Sequence, residues 1–329
     1  MTELSRREAL AAVAGLTALG FGTAPANAQL GPGRTLTLMV PYPAGGLSDA
    51  IARNLQPAFQ RVLGQTVLVE NLGGASGGLA AQKLLQTRAD GRMIFQGSPN
   101  ELILSPLVNP DIKFRPDQFR HVTQITRNPL ILLVRPDHPA SNIDELVAHA
   151  KAQGRPTPYG SVGVGSLYHV LSEEMAKQTG IRVTHVAYRG AAPVLQDLAS
   201  GQIDFAILPF ATSYKPLQDQ KKLKMLGWVS KSRVDFLPDL VAFGESKVLP
   251  NFDHSIWAGI FVRSETPEDI VQRLNEAVGE VMRTPEVRTA ISNTGSIVVD
   301  ATSLAEARRF YEDQVRVLDA MTREISFRV

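Results

Sequence analysis

From residue 35 onward, short apolar runs alternate with amphipathic ones, and this alternation constrains the fold more than any other feature of the chain. Such a series builds βαβ units, in which helices cover both faces of a mostly parallel sheet. Thr35 to Tyr42 sets Leu36, Leu38 and Val40 in step as a first strand; after Gly45-Gly46, the spacing Ile51, Leu55, Phe59, Val62 marks a helical face. Val67–Val69, Met93–Phe95 and Leu130–Val134 read as strands, with a helix at Leu79–Leu85 between the first two. A second series follows. Ser141 opens a helix with Asp144 three residues on, a near capping box. A Gly/Ser loop at 160–166 leads into a helix ending near Gln178. Val183–Tyr188, Ile203–Phe210 and Leu223–Val229 are strands, and Ala191–Leu198 is a helix. Trp257–Val262 returns as a strand, Thr266-Pro267-Glu268-Asp269 opens a helix, and Ser303-Leu304-Ala305-Glu306 opens the last one with a capping box.

A chain of 329 residues is long enough for two domains. With no long linker between the two series, the expected arrangement is two lobes that share strands. The first crossing is placed near Asn128–Leu130 and the return near His254–Ala258, so that residues 29–129 and 257–329 form lobe 1 and residues 130–256 form lobe 2.

Ahead of this core, residues 1–28 divide into a charged head ending in Arg6-Arg7, an apolar run from Ala9 to Phe21, and the small-residue triplet Ala26-Asn27-Ala28. This is the three-part secretory pattern, with cleavage expected after Ala28 and a mature protein outside the cytoplasm. Ser5-Arg6-Arg7 suggests the twin-arginine route, although Ala9 stands where that motif has a bulky apolar residue. No later stretch is apolar for long enough to span a bilayer.

Composition removes several classes of chemistry. Lys+Arg 34 against Asp+Glu 32 leaves +2, too little for a nucleic-acid partner. The absence of cysteine excludes disulfides, thiolate metal sites and cysteine nucleophiles. The 6 histidines show no i, i+4 pair to bind zinc from one helix face. Neither metal nor cofactor is expected.

What remains is a set of glycine-rich turns, each between a strand and a helix: Pro41-Tyr42-Pro43-Ala44-Gly45-Gly46-Leu47-Ser48-Asp49, Leu72-Gly73-Gly74-Ala75-Ser76-Gly77-Gly78, Gly160-Ser161-Val162-Gly163-Val164-Gly165-Ser166 and Tyr188-Arg189-Gly190. Glycine lets backbone approach a ligand, and a helix's first turn offers unpaired N–H groups at the positive end of its dipole. Each turn alone is as well explained by a tight connection. Their recurrence at strand C-terminal ends, where open α/β sheets bind ligands, favours an anion site. None matches the dinucleotide or P-loop pattern. Gly74-Ala75-Ser76-Gly77-Gly78 does match the nucleophile elbow G-x-S-x-G, so an exported serine hydrolase using Ser76 is the enzyme alternative. Among single side chains, His169 is better suited to fixing neighbouring backbone than to acting as a base. Asp49 reads as a first-turn helix acid or as an acceptor for a ligand hydroxyl. Asp204 enters an apolar strand and needs a partner.

Taken in order, Val40-Pro41-Tyr42-Pro43-Ala44-Gly45-Gly46 with Asp49 and Ala52-Arg53, Val69-Glu70-Asn71 with Gly74-Ala75 and Gly77-Gly78, Tyr159-Gly160-Ser161 with Gly163, Gly165-Ser166 and His169, and His185-Val186-Ala187-Tyr188-Arg189-Gly190 with Ala192-Pro193 and Gly201-Gln202-Ile203-Asp204 resemble the Bug family. These are the extracytoplasmic solute receptors of tripartite tricarboxylate transporters. The resemblance implies a type II periplasmic binding protein fold, with two α/β lobes joined by a two-strand hinge and closing over a small organic anion. It implies delivery to inner-membrane transporter subunits without catalysis, and carboxylates met by backbone N–H groups, hydroxyls and water. The ligand-binding residues it implies are Tyr42, Ala44, Gly45, Gly46, Ser48 and Asp49 in one lobe, and Ser161, Gly163, Val164, Gly165, Ser166 and His169 in the other. Arg189, Gly190 and Asp204 complete the set. A solute-sensing partner of a receptor kinase would use the same fold. The family has a small or hydroxylated residue after the Gly pair, where this chain has Leu47. If Leu47 faces the cleft it favours a less polar acid than citrate; if it faces the core nothing follows.

Overall fold

The computed structural model describes residues 35–323 and 325; the expected secretory segment lies outside the described residues. Its first strand, β1 (Thr35–Val40), is central and buried on both faces at its end, with Leu38, Met39 and Val40 all inaccessible to solvent. Helix α1 (Leu47–Leu63) follows and buries Ile51, Leu55 and Phe59, the face its spacing predicts, before Gly64 ends it in the left-handed region. The chain continues through β2 (Thr66–Asn71), α2 (Gly78–Gln86) and β3 (Met93–Gly97), then a π-turn at Asn100–Leu104 that runs into the short α3 (Ser105–Val108).

The long strand β4 (Phe119–Val134) carries the chain from one half of the sheet to the other. The second half comprises α4 (Ile143–Ala152), β5 (Thr157–Ser161), α5 (Leu167–Thr179), β6 (Val183–Ala187), α6 (Ala191–Ser200), β7 (Phe205–Pro209), α7 (Tyr214–Asp219) and β8 (Lys224–Trp228). The return is β9 (Ser255–Arg263), followed by α8 (Glu268–Arg283), α9 (Pro285–Ser292), β10 (Ile297–Val298) and α10 (Leu304–Arg323). Strands lie in the order β2-β1-β3-β9-β4-β7-β5-β6, with β8 and β10 also on β4.

The sheet is mixed rather than mostly parallel. Parallel pairing holds within each half, β1 with β2 and β3, and β5 with β6 and β7. Between them β4 and β9 run antiparallel to each other and to their other partners, because one carries the chain out of the first half and the other brings it back. The partners of β4 change along its length: Phe119–Pro129 pairs with β9, whereas Leu130–Val134 pairs with β7 and β8.

One hydrophobic cluster packs α1, α8 and α9 against β1 and β9; a larger one runs from Met39 and Phe95 through β4 into the second half. The C-terminal helices therefore return to the first half, and α10 begins on a Ser303–Glu306 capping box as expected. Helix α4 starts one residue later than the sequence suggested. Its cap is Asn142, which accepts from the Glu145 amide at 2.9 Å, while Glu145 accepts from the Ser141 amide at 2.7 Å. Among the described residues no helix is long and apolar enough to cross a membrane.

Candidate functional site

Two helices from opposite halves point their N-termini at one cavity. Helix α1 starts after Gly46 and α6 after Gly190, and neither cap residue supplies a side-chain hydrogen bond to its helix. The first-turn amides of Leu47, Ser48, Ala191 and Ala192 therefore lack both an intrahelical acceptor and a capping side chain, which leaves positive dipole ends facing inward. The cavity between them holds about 90 Å³ and is lined by Tyr42, Pro43, Ala44, Gly46, Leu47 and Ser48 from the first half. Val162, Tyr168, Gly190, Ala191, Ala192, Pro193 and Pro209 line it from the second. A single water needs only ~10–15 Å³, so this is space for a small molecule rather than a packing gap.

The first turn is braced from below. Asp49 accepts from the Gly45 amide at 2.9 Å and from Arg53 Nε at 3.0 Å. Burial alone would raise its pKa, but the bonds from Arg53 and Gly45 outweigh it and hold the carboxyl below its ordinary value. Asp49 is thus the first-turn helix acid, facing its own turn. Tyr42 donates its hydroxyl to Glu101 at 3.2 Å and accepts from Asn100 at 2.9 Å, while Asn71 holds the Tyr42 carbonyl at 3.1 Å. Glu101 is inaccessible to solvent, and burial pushes its pKa up to about 8, a rise that bonds from Ser98 only partly offset.

The turn at 160–166 is built differently. Ser166 caps α5 by accepting the His169 amide at 3.3 Å, and Asn100 Oδ1 from the first half takes the Leu167 amide at 2.8 Å. His169 Nδ1 accepts the Gly165 amide at 3.2 Å, so the imidazole does fix neighbouring backbone. Its ring lies 4.0 Å from that of His185, and burial lowers both pKa values, to about 3 and about 4. Ser161 bonds His185 at 2.7 Å and the Gly163 carbonyl at 3.0 Å.

Gly163 and Val164 form a contact between the halves. Ser76 donates to the Val164 carbonyl at 2.6 Å. A Cβ on Gly163 would stand 2.5 Å from Ser76 Oγ, and its φ of +140° is itself hostile to side chains. Gly190, at φ +148°, shares the backbone conformation but leaves ordinary room, with 3.4 Å between its virtual Cβ and the Pro43 ring. These close approaches join the two glycine-rich edges across the cavity.

The chain is similar over most of its length to proteins already known. Residues 51–327 match the tripartite tricarboxylate transporter family receptor. The chain belongs to this family. Among solved structures, Rpa4515 of Rhodopseudomonas palustris with adipate is 27% identical, with a TM-score of 0.82 over 89% of this chain and 97% of that one. MatC of the same organism, with bound malate, is 27% identical, with a TM-score of 0.80 over 88% and 99%. The periplasmic binding protein BugD is 25% identical, with a TM-score of 0.81 over 89% and 98%. The fold is therefore that of a periplasmic binding protein, in a family of solute receptors.

Within this receptor fold, the residues expected at the site fall into three groups. Tyr42, Ala44, Gly46, Ser48 and Gly190 line the cavity. Gly45, Asp49, Ser161, Gly163, Val164, Gly165, Ser166 and His169 are outside the lining, and each takes part in a hydrogen bond within the protein. Arg189 is exposed and outside the lining, while Asp204 stands at the far end of β7, held by Arg135 at 2.9 Å and Arg155 at 3.6 Å. The partner that Asp204 needs is structural. Leu47 touches the cavity and also packs against both hydrophobic clusters, and Val162, Tyr168, Ala191–Pro193 and Pro209 join it on the wall. A rule that takes the first helical turn after each glycine, and the last residue of each strand, would have found Ala191, Ala192 and Pro209. Ser76 directs its hydroxyl to a carbonyl rather than an imidazole, so the nucleophile-elbow pattern here lacks the base it would need.

Proposed function

We propose that the chain is an exported receptor that binds a small organic carboxylate between its two halves, without catalysing a reaction, and hands it to an inner-membrane transporter. The observation that carries this reading is the convergence of two uncapped helix N-termini on one cavity. A carboxylate bridging them would satisfy both sets of amides at once and favour the form in which the halves meet. Tyr42, Ala44, Gly46, Ser48 and Gly190 are the contacts, joined by Leu47 and Ala191–Ala192. The surrounding residues from Gly45 to His169 hold them in place. Family membership supports the transporter partner, and the malate and adipate seen in related structures support a carboxylate ligand.

The change of partners along β4 supports a hinge there, with residues 29–129 and 257–329 as one lobe and 130–256 as the other. The secretory pattern supports removal of residues 1–28, which N-terminal sequencing of periplasmic protein would check. The receptor reading is tested by thermal shift with succinate, malate, adipate, butanoate, hexanoate and benzoate. A true ligand at 100 times its Kd stabilises the folded state by ~2.7 kcal/mol, a clear rise in Tm. No rise with any acid would overturn it.

A further inference from the structure

Behind the cavity wall lies a buried carboxyl that binding of a carboxylate does not by itself require. Glu101, in the π-turn at Asn100–Leu104, has no solvent-accessible surface. Its Oε1 accepts the Ser98 amide, and its Oε2 accepts the Ser98 hydroxyl at 2.9 Å and the Tyr42 hydroxyl at 3.2 Å. Gly77 packs against its side chain and brings no charge. The titratable groups facing it from the other packed elements are phenols: Tyr42 ahead of α1, Tyr168 in α5 and Tyr311 in α10, on which Asp117 also acts. None of these is a cation, so an ionised Glu101 is a buried anion that they do not neutralise.

Two side chains connect this carboxyl to the second half and to the cavity. Asn100 Oδ1 accepts the Leu167 amide at 2.8 Å, which fixes the side-chain amide so that Nδ2 donates to the Tyr42 hydroxyl at 2.9 Å. Tyr42 then has one hydrogen to give, and an ionised Glu101 takes it. A protonated Glu101 supplies its own hydrogen on Oε2 and leaves no buried charge beside the Tyr42–Asn100 pair. Tyr42 and Tyr168 line the cavity from opposite halves, so a bound carboxylate sets a second negative charge against residues that already face Glu101. Joining the halves also brings Leu167 and Tyr168 onto the π-turn, which takes water away from the carboxyl. Both changes favour its neutral form.

Resting on the receptor reading above, we infer that Glu101 is a proton site linked to the ligand: the receptor takes a proton from solvent onto this carboxyl as it closes over a carboxylate, and returns it on opening. Burial raises the Glu101 pKa to about 8 with the halves joined, above the ordinary carboxyl value that a hydrated, open form approaches. The closed form therefore binds the proton more tightly, and ligand affinity weakens as pH rises toward 8 and beyond. His169 and His185 have lowered pKa values, so their protons move below pH ~6.5 and outside this window.

Isothermal titration of the mature protein with the same six acids, between pH 7 and 8.5 in HEPES and in Tris, counts the protons because the two buffers differ in ionisation enthalpy. The acids themselves stay ionised throughout. Uptake should approach one proton per acid bound at pH 7, with affinity falling by up to about tenfold per pH unit above it. Glu101→Gln, whose amide imitates the protonated carboxyl, should take up none and bind the same acid about tenfold or more tighter than wild type at pH 8.5. Proton-neutral binding at constant affinity would overturn the inference and leave the receptor standing. Uptake that persists in folded Glu101→Gln would overturn the assignment to this residue. Should that variant fail to fold, Tyr42→Phe removes a donor from the ionised carboxyl and should move the pH dependence upward, and an unmoved profile would equally overturn the assignment. Binding of none of the six acids would instead bring down the receptor reading itself.

Discussion

The turn at 42–48 and the turn at 160–166 are made from the same ingredients: a strand end, glycines, a serine, then a helix. In the first, Pro43, Ala44 and Gly45 are exposed and the helix that follows has no side-chain cap. In the second, every residue from Ser161 to Ser166 except Val164 is buried, and Ser166, His169 and Asn100 use up the polar groups of the turn. Glycine content therefore does not distinguish a turn with open amides from a bracing one. What distinguishes them is whether the first-turn amides already have acceptors. The turn at Gly190 follows the first pattern, and the two uncapped ends face each other across the cavity.

The largest expected effect comes from converting the first turn into the second. Gly46 has an extended backbone at φ −84° and ψ 175°, and a Cβ there meets nothing nearer than the Pro43 carbonyl at 3.7 Å. Gly46→Asp would place a carboxylate at the cap position, where it accepts the amides of α1 that a ligand would otherwise take. Affinity for any carboxylate should fall by ~100-fold or more, while the protein keeps or gains a few tenths of a kcal/mol in stability, the difference between Gly and Asp at a cap. Titration calorimetry alongside a denaturant melt reads both. Retained affinity would mean that the α1 terminus does not hold the ligand.

The next effect separates the turns by pH, because different titratable groups lie beneath them. Under the first turn Glu101, in contact with Tyr42 and near Tyr168 and Tyr311, has its pKa raised to about 8. The folded state therefore binds this proton more tightly than the unfolded chain, and stability contributed by the neutral acid is lost as pH rises toward 8. Under the second turn His169 and His185 have pKa values lowered to about 3 and about 4. Here the unfolded chain binds protons first, so stability is lost as pH falls from ~6.5 toward the folded values. Tm should peak near pH 6.5 and fall on both sides, with a slope of at most ~1.4 kcal/mol per pH unit for each group. Glu101→Gln should flatten the alkaline limb and steepen the acid limb between pH ~4.5 and ~6.5, where Glu101 opposes the histidines. If both limbs persist unchanged, Glu101 is not the group responsible.

Much of this was legible in the sequence, and the exceptions have physical causes. The strands β1, β7 and β8 and the helices α1, α6 and α8 were legible because their apolar periods are unbroken. The first eleven residues of β4 were missed because its register shifts between His121 and Thr123 and again between Gln124 and Thr126, which scrambles the period of two. Strand β5 was hidden by Pro158 and Gly160, and α7 and α9 are too short for helical spacing to declare itself. At the candidate site, the sequence marked the glycine-rich turns but could not show which helices carried caps. That depends on Asn100, which reaches Leu167 from 67 positions away in the chain. Arg189 and Asp204 entered through their place in the motifs; the structure leaves Arg189 exposed and outside the lining, and pairs Asp204 with Arg135 and Arg155.

The smallest expected effects contrast two serines, one bracing a helix and one joining the halves. Ser166→Ala removes the cap of α5 and should lower stability by ~1 kcal/mol, with ligand affinity nearly unchanged, since Ser166 does not line the cavity. Ser76→Ala removes the 2.6 Å bond to the Val164 carbonyl. That bond exists only when the halves meet, so its loss weakens the joined form relative to an open one. A net worth of ~0.5–1.5 kcal/mol would appear as a two- to tenfold loss of affinity, with less change in unfolding. The dissociation rate should carry most of it, because a bond that forms after the ligand is enclosed holds the ligand in rather than guiding it there. If the two variants instead behaved alike, the Ser76 contact would be ordinary packing, and closure would rest on the ligand and on the other contacts between the halves, such as the Asn100–Leu167 bond.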